Sequence, residues 1–122
     1  MALKKILVGF DGSEGSFRAL QEALQLARAT GAGITSISVA EIPRYPGTVT
    51  EIIEAREGVY AALRESVRRA REIAAEAGID LVTTQMVGHE VKCIVDFARQ
   101  GQFDLLVLGF MGHSALRENE MG

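Results

Sequence analysis

The sequence predicts a single α/β domain with a doubly wound, mostly parallel sheet and helices on both faces. Short apolar runs alternate with longer amphipathic segments in the order β-α-β-α-β-α-β, and the connections are long enough for crossovers. A length of 122 residues suits one domain with a sizeable core, so residues 1–122 are expected to form one unit. The net charge of −3 argues against a nucleic-acid partner, because such a partner requires a basic face.

Two strands and one helix are predicted in the first third of the chain. Residues 6–8 form an apolar run between lysines and a glycine-rich turn, which is typical of a strand buried on both faces. An apolar stripe predicts a helix over residues 13–30, with Ser13 as its N-cap and Glu14 at its positive end. Residues 34–40 are rich in β-branched side chains, which favours a second strand.

The same alternation continues through the rest of the chain. Thr48 and Glu51 have the spacing of a capping box, which predicts a long helix from there to about Ala77. A third helix is expected to stop at Gly101. The third strand, third helix and fourth strand are predicted at residues 81–87, 91–98 and 105–108.

No targeting or membrane segment is predicted. The apolar run near the N terminus is too short for a signal peptide or a membrane span. The single cysteine, Cys93, excludes an intrachain disulfide. We therefore expect a cytoplasmic protein without membrane contact.

The loop after the fourth strand has the composition of a phosphate site. Ligands of open parallel sheets bind beyond the carboxyl ends of the strands. Gly109 and Gly112 lack a Cβ, so their backbone can approach an anion closely, and His113 and Ser114 add side-chain donors. An equally open interpretation is that both glycines only turn the chain out of the strand.

Asp11 follows the first strand at the same edge of the sheet. Its carboxylate can accept a hydrogen bond from a hydroxyl or amino group, as acidic residues do for ribose. It can equally form an Asx-turn that starts the helix at Ser13. Because Asp11 and Glu14 make this stretch a poor phosphate loop, phosphate is expected at the fourth strand.

The segments "ILVGFDGSEGSFRAL" and "DLLVLGFMGHSALRENEMG" together resemble the universal stress protein family. The specific part is a glycine signature, in which Gly109, Gly112 and Gly122 match the family's spacing. The resemblance implies a Rossmann-like sheet and binding of ATP, or of AMP or ADP. It also implies that Mg²⁺ bridges the phosphates, since this ion prefers substrate oxygens and water.

The resemblance also implies a set of nucleotide contacts. Adenine and ribose would lie near Gly9, Asp11 and Val39, with the base meeting backbone groups of Val39. Gly122 would lie near the terminal phosphates. Ribose and phosphates would meet the loop after the fourth strand at Gly109, Met111, Gly112, His113 and Ser114. No catalytic residue or protein metal site is predicted.

The sequence departs from the family pattern at its end. The usual Ser or Thr after the third glycine and the family's last strand are absent, so the domain is expected to be incomplete at its C terminus. The fourth strand is apolar on both faces and would become an exposed edge, which favours pairing with another chain. A homodimer or another homo-oligomer is therefore expected.

Three functions remain open at this level. The first is a regulatory, stress-response module that binds an adenine nucleotide with little or no hydrolysis. The second is a slow ATP hydrolase, for which the sequence offers no positioned general base. The third is a dimerising signalling protein of the same fold that binds no nucleotide.

Overall fold

Four parallel strands form the sheet at the centre of the computed structural model, which describes residues 2–41 and 47–109. The spatial order is β3-β2-β1-β4, so the winding reverses between β1 and β4. The strands are β1 (Lys5–Gly9), β2 (Gly33–Ala40), β3 (Leu81–Val87) and β4 (Leu105–Val107). The predicted doubly wound α/β fold is confirmed.

Three helices connect the strands, and the residues that begin them explain their positions. They are α1 (Glu14–Thr30), α2 (Val49–Glu76) and α3 (Glu90–Gln100). Ser13 caps α1 by accepting a hydrogen bond from the Ser16 amide, as predicted. Thr48 and Glu51 form the predicted capping box of α2.

The two faces of the sheet carry different helices. α1 and α2 pack on one face, where Leu20, Leu24 and Ala70 join Ile6 and Val8 in the larger core cluster. α3 covers the other face, where Ile94 packs against Leu7 and Ile37. Right-handed crossovers produce this split, because the chain moves outward through β1, β2 and β3 and then returns across the sheet to β4.

β4 differs slightly from the prediction. It ends at Val107, one residue earlier than expected, and pairs in register with β1 from Ile6 with Leu105 to Val8 with Val107. Leu108 lies outside the strand, and the next residue, Gly109, lies against the start of α1. Within the described ranges β4 pairs with β1 alone, and its three residues are half-buried.

No helix within residues 2–41 and 47–109 is both long and apolar enough to cross a bilayer.

Candidate functional site

A cavity of about 280 Å³ opens at the carboxyl ends of β1 and β4, where the winding of the sheet reverses. This is the edge at which ligands of open α/β sheets bind. The loop into α1, the end of β2 and the first turns of α3 complete the walls. The lining residues are Gly9, Phe10, Asp11, Ser13, Ser16, Ile37, Val39, Glu90, Val91, Ile94, Val95, Leu106, Leu108 and Gly109.

The structure brings four of the predicted site residues together around this cavity. They are Gly9, Asp11, Val39 and Gly109, of which two lie in the strands β1 and β2 and two in the segments that follow β1 and β4. The other five predicted residues lie outside the described part of the chain, namely Met111, Gly112, His113, Ser114 and Gly122.

Asp11 forms the predicted Asx-turn and still borders the cavity. Its Oδ1 accepts a hydrogen bond from the Ser13 amide at 2.8 Å. Partial burial acts to raise the pKa of Asp11, but hydrogen bonds involving Ser13 and Ser16 outweigh it and hold the pKa below its ordinary value. The carboxylate is therefore charged at neutral pH, and the two interpretations of Asp11 do not exclude each other.

Val39 presents backbone groups to the cavity. The Gly88 amide donates to the Ala40 carbonyl, so Ala40 turns its backbone groups toward β3. Successive residues of a strand alternate, and Val39 therefore turns its N–H and C=O toward β1. The pairing of β1 with β2 ends at Gly9 with Ile37, so these groups of Val39 lie beyond the last pair.

Gly109 permits a close approach of β4 to α1. A Cβ at this position would lie 2.5 Å from the Gly15 carbonyl carbon and from the Ser16 nitrogen, which are backbone atoms that cannot give way. The first turn of α1 therefore sits directly against the backbone that follows β4. Packing within the protein accounts for this glycine, independently of any ligand.

The cavity carries negative charge and apolar surface. Asp11 and Glu90 line it, and none of its described lining residues is a lysine or arginine. The Glu90 amide donates to Glu41 Oε2 at 3.0 Å, which ties the start of α3 to the end of β2. Val91 and Leu108 line the cavity yet are 64% and 55% exposed to solvent. Such walls suit a flat apolar ring with hydroxyl or amino donors, and their described side chains offer no cationic group to a phosphate.

The contribution of α3 is absent from the residues predicted from the sequence. Glu90, Val91, Ile94 and Val95 all line the cavity. The sequence prediction considered only the residues that directly follow each strand, which include Glu90 without assigning it a contact and exclude Val91, Ile94 and Val95. The handedness of the return crossover, which puts α3 beside the reversal point, was the signal that would have identified them.

No group of three or more potential metal ligands occurs within the part of the chain that the structure describes. His89 instead caps α3, where its Nδ1 accepts from the Lys92 amide at 3.4 Å.

Comparison with known proteins identifies the family. The model of the universal stress protein family matches residues 2–122. The chain belongs to the universal stress protein family. It is 27% identical to universal stress protein MJ0531 of Methanocaldococcus jannaschii, covering 98% of this chain and 71% of the relative. It is 30% identical to universal stress protein YxiE of Bacillus subtilis, covering 97% and 86%.

Solved structures of this family share the fold. Universal stress protein UspA from Lactobacillus plantarum superimposes with a TM-score of 0.79 at 26% identity, over 92% of this chain and 80% of that one. A universal stress protein solved in complex with cAMP superimposes with a TM-score of 0.65 at 29% identity, over 100% and 86%. The Arabidopsis thaliana family member with AMP bound shares 15% identity at a TM-score of 0.66, over 89% and 78%, and supports the fold alone.

Proposed function

We propose that this universal stress protein binds an adenine nucleotide in the cavity between β1, β4 and α3 and acts as a regulatory module with little or no hydrolysis. One observation carries the proposal. A single cavity joins the Asp11 carboxylate, the backbone edge of Val39 and an apolar wall from α3. The family member solved with cAMP shows that this fold accommodates an adenine nucleotide.

Each part of the nucleotide has a proposed partner. The base lies between Val39 and the apolar side chains of Val91 and Val95, and the backbone N–H and C=O groups of Val39 form hydrogen bonds with the edge of the base. Asp11 accepts a hydrogen bond from a ribose hydroxyl. The phosphates, with Mg²⁺ bridging them, are assigned to Gly109 and to the loop that follows it, through Gly112, His113, Ser114 and the more distant Gly122.

The charge of the cavity supports binding without fast catalysis. Phosphoryl transfer depends on cationic groups that stabilise the developing charge. The described lining offers carboxylates and apolar groups instead. We therefore propose at most slow turnover.

We also propose that the protein forms a homodimer. Light scattering measures its mass in solution directly.

Thermal unfolding with a panel of ligands tests the proposal. ATP, AMP and cAMP are each added at rising concentration, and a ligand present at a hundred times its Kd adds about 2.7 kcal/mol to the free energy of unfolding. Asp11→Asn keeps the acceptor for the Ser13 amide but removes the charge, so it lowers affinity about tenfold. Asp80→Asn is the matched control, because Asp80 is an exposed carboxylate outside the cavity.

Three outcomes are distinguishable. A shift with any of the three nucleotides that Asp11→Asn weakens and Asp80→Asn does not supports the proposal. No shift with any nucleotide, and none found by mass spectrometry of the denatured protein, favours a signalling protein without nucleotide. Release of phosphate from ATP at a rate that rises with Mg²⁺ and falls in Asp11→Asn favours a hydrolase.

A further inference from the structure

A second surface lies at the opposite side of the sheet, along β3. Within the described residues β3 pairs with β2 alone and is the outer strand of the sheet. Its sequence, Leu-Val-Thr-Thr-Gln-Met-Val, contains no charge and no proline. Proteins usually protect an edge strand with lysine, proline or a bulge, because its free backbone groups pair readily with another chain.

The backbone groups that face outward can be assigned. The Gly88 amide donates to the Ala40 carbonyl at 2.9 Å, so Gly88 points to β2. The alternation of a regular strand then directs Thr84 and Met86 to β2 as well. The N–H and C=O groups of Thr83, Gln85 and Val87 point away from the sheet.

A basic groove runs along one side of this edge. It has a volume of about 420 Å³ and lies between β3 and α2. Its lining residues are Arg64, Val67, Arg68, Arg71, Thr83 and Gln85.

Two of the three arginines keep their charge available. Arg68 is neutralised by Glu65 at 2.7 Å and by Glu72 at 2.9 Å. Arg71 donates to the neutral Thr83 hydroxyl at 2.8 Å. Neither Arg64 nor Arg71 belongs to an ion pair within residues 2–41 and 47–109.

The other side of the edge carries two apolar side chains and no charge. Thr83 contacts α2, so the side chains of Val82, Thr84 and Met86 point to the opposite face. Val82 is 62% exposed there, and Met86 packs with the residues of the α3 cluster. A strand added to β3 would thus place alternate side chains against arginines and against apolar surface.

The geometry points to β3 as a docking site for an extended peptide in which acidic and apolar residues alternate. The peptide adds a fifth strand, and its backbone bonds to Thr83, Gln85 and Val87. Its acidic side chains meet Arg64 and Arg71, and its apolar side chains cover Val82. This surface is separate from the nucleotide cavity, and the inference does not depend on nucleotide binding.

Charge decides between this occupant and a second copy of the chain. Pairing of two β3 strands would bring two sets of Arg64 and Arg71 together. β3 is uncharged, and the nearby Glu65 and Glu72 already pair with Arg68, so the second copy would offer these two arginines no free acidic group along this edge. Like charges brought face to face oppose association. An acidic partner satisfies both the backbone edge and the arginines.

Hydrogen exchange of the free protein tests the edge itself. The amides of Gln85 and Val87 exchange at least a hundredfold faster than those of Thr84 and Met86, because only the latter pair with β2. Equal protection of all four amides would show that another part of the protein already covers the edge, and it would overturn the inference.

Peptide binding tests the partner. The probe is a fluorescent peptide Val-Glu-Val-Glu-Val-Glu-Val, and the control replaces each Glu by Lys. We expect measurable anisotropy change with the acidic peptide only, and a loss of affinity when salt is raised. Equal binding of both peptides, or of neither, would overturn the inference.

Two variants locate the binding. Arg64→Glu combined with Arg71→Glu weakens binding of the acidic peptide at least tenfold, while the charge-matched Arg56→Glu with Arg99→Glu, at exposed arginines outside the groove, leaves it unchanged. Gln85→Pro removes an outward N–H, which proline tolerates at a sheet edge, together with one uncharged side chain of the groove, and it also abolishes binding. Circular dichroism confirms folding. Binding unaffected by both variants, or a wild-type dimer that Gln85→Pro dissociates, contradicts the inference.

Discussion

Ser36 is a residue whose chemistry does not match its surroundings. It is fully buried in β2, and its hydroxyl has no hydrogen-bond partner among the described residues. The neighbouring Ser38 is also buried, but its hydroxyl donates to the Phe10 carbonyl at 2.7 Å. Comparison of the two serines therefore measures how a buried hydroxyl changes the free energy of unfolding with and without a hydrogen-bond partner.

We expect Ser36→Ala to raise the free energy of unfolding by about 1 kcal/mol, since it removes an unsatisfied buried group. Ser38→Ala should lower it by about 1 to 2 kcal/mol, because it leaves the Phe10 carbonyl without its donor. Urea denaturation of the three proteins measures both changes. A larger loss in Ser36→Ala than in Ser38→Ala would show that the Ser36 hydroxyl has a partner after all.

At the scale of elements, one carboxylate joins the start of β1 to the start of β4. Asp104 Oδ2 accepts from the amides of Lys4 and Lys5, each at 2.8 Å, and the Asp104 amide donates to the Lys5 carbonyl. The two backbone amides and the nearby lysines hold the pKa of Asp104 below its ordinary value of 3.8. The connection from α3 is thereby tied to the first strand at the end opposite the cavity.

The hydrogen bonds that the Asp104 carboxylate accepts should weaken at acidic pH. Because the pKa of Asp104 is lower in the folded protein than in the unfolded chain, its stabilising contribution is complete above the unfolded value and disappears as pH falls below 3.8 through the folded value. Asp104→Asn keeps an oxygen acceptor but does not titrate, so its stability should fall less steeply than that of the wild type between about pH 5 and pH 3. Urea midpoints across this range provide the measurement, and parallel slopes would contradict the expectation.

At the scale of the whole molecule, the two proposed surfaces lie on opposite sides of the sheet. The cavity involves β1, β4 and α3, whereas the basic groove involves α2 and β3. We expect saturating nucleotide to slow hydrogen exchange at the start of α3, around Glu90 and Val91, and to leave the amides of Gln85 and Val87 unchanged. Mass-resolved or NMR-detected exchange with and without ligand tests this, and protection spreading to β3 would indicate that the surfaces are coupled.

The sequence was sufficient for the sheet, because each strand is a short run rich in apolar or β-branched residues between turn residues, and every helix has a recognisable stripe or cap. The resemblance to the family also implied that Gly9, Asp11 and Val39 lie near one another, and the shared edge formed by the carboxyl ends of parallel strands explains why they do. The sequence was insufficient for the wall that α3 supplies. Val91 and Val95 belong to an ordinary apolar stripe, and only the path of the chain across the sheet shows that part of this stripe borders a cavity.

Gly109 shows how a residue of the glycine signature can be required for two separate reasons. Because α1 rests against bare backbone at this position, any larger side chain would push the helix outward and carry the loop of Asp11 with it. A genetic screen for loss of ligand would therefore recover changes at Gly109 through the displaced helix, whether or not a phosphate ever touches this residue. Substitutions at Gly15 or Ser16 cannot compensate for such a change, because the collision involves their backbone atoms rather than their side chains.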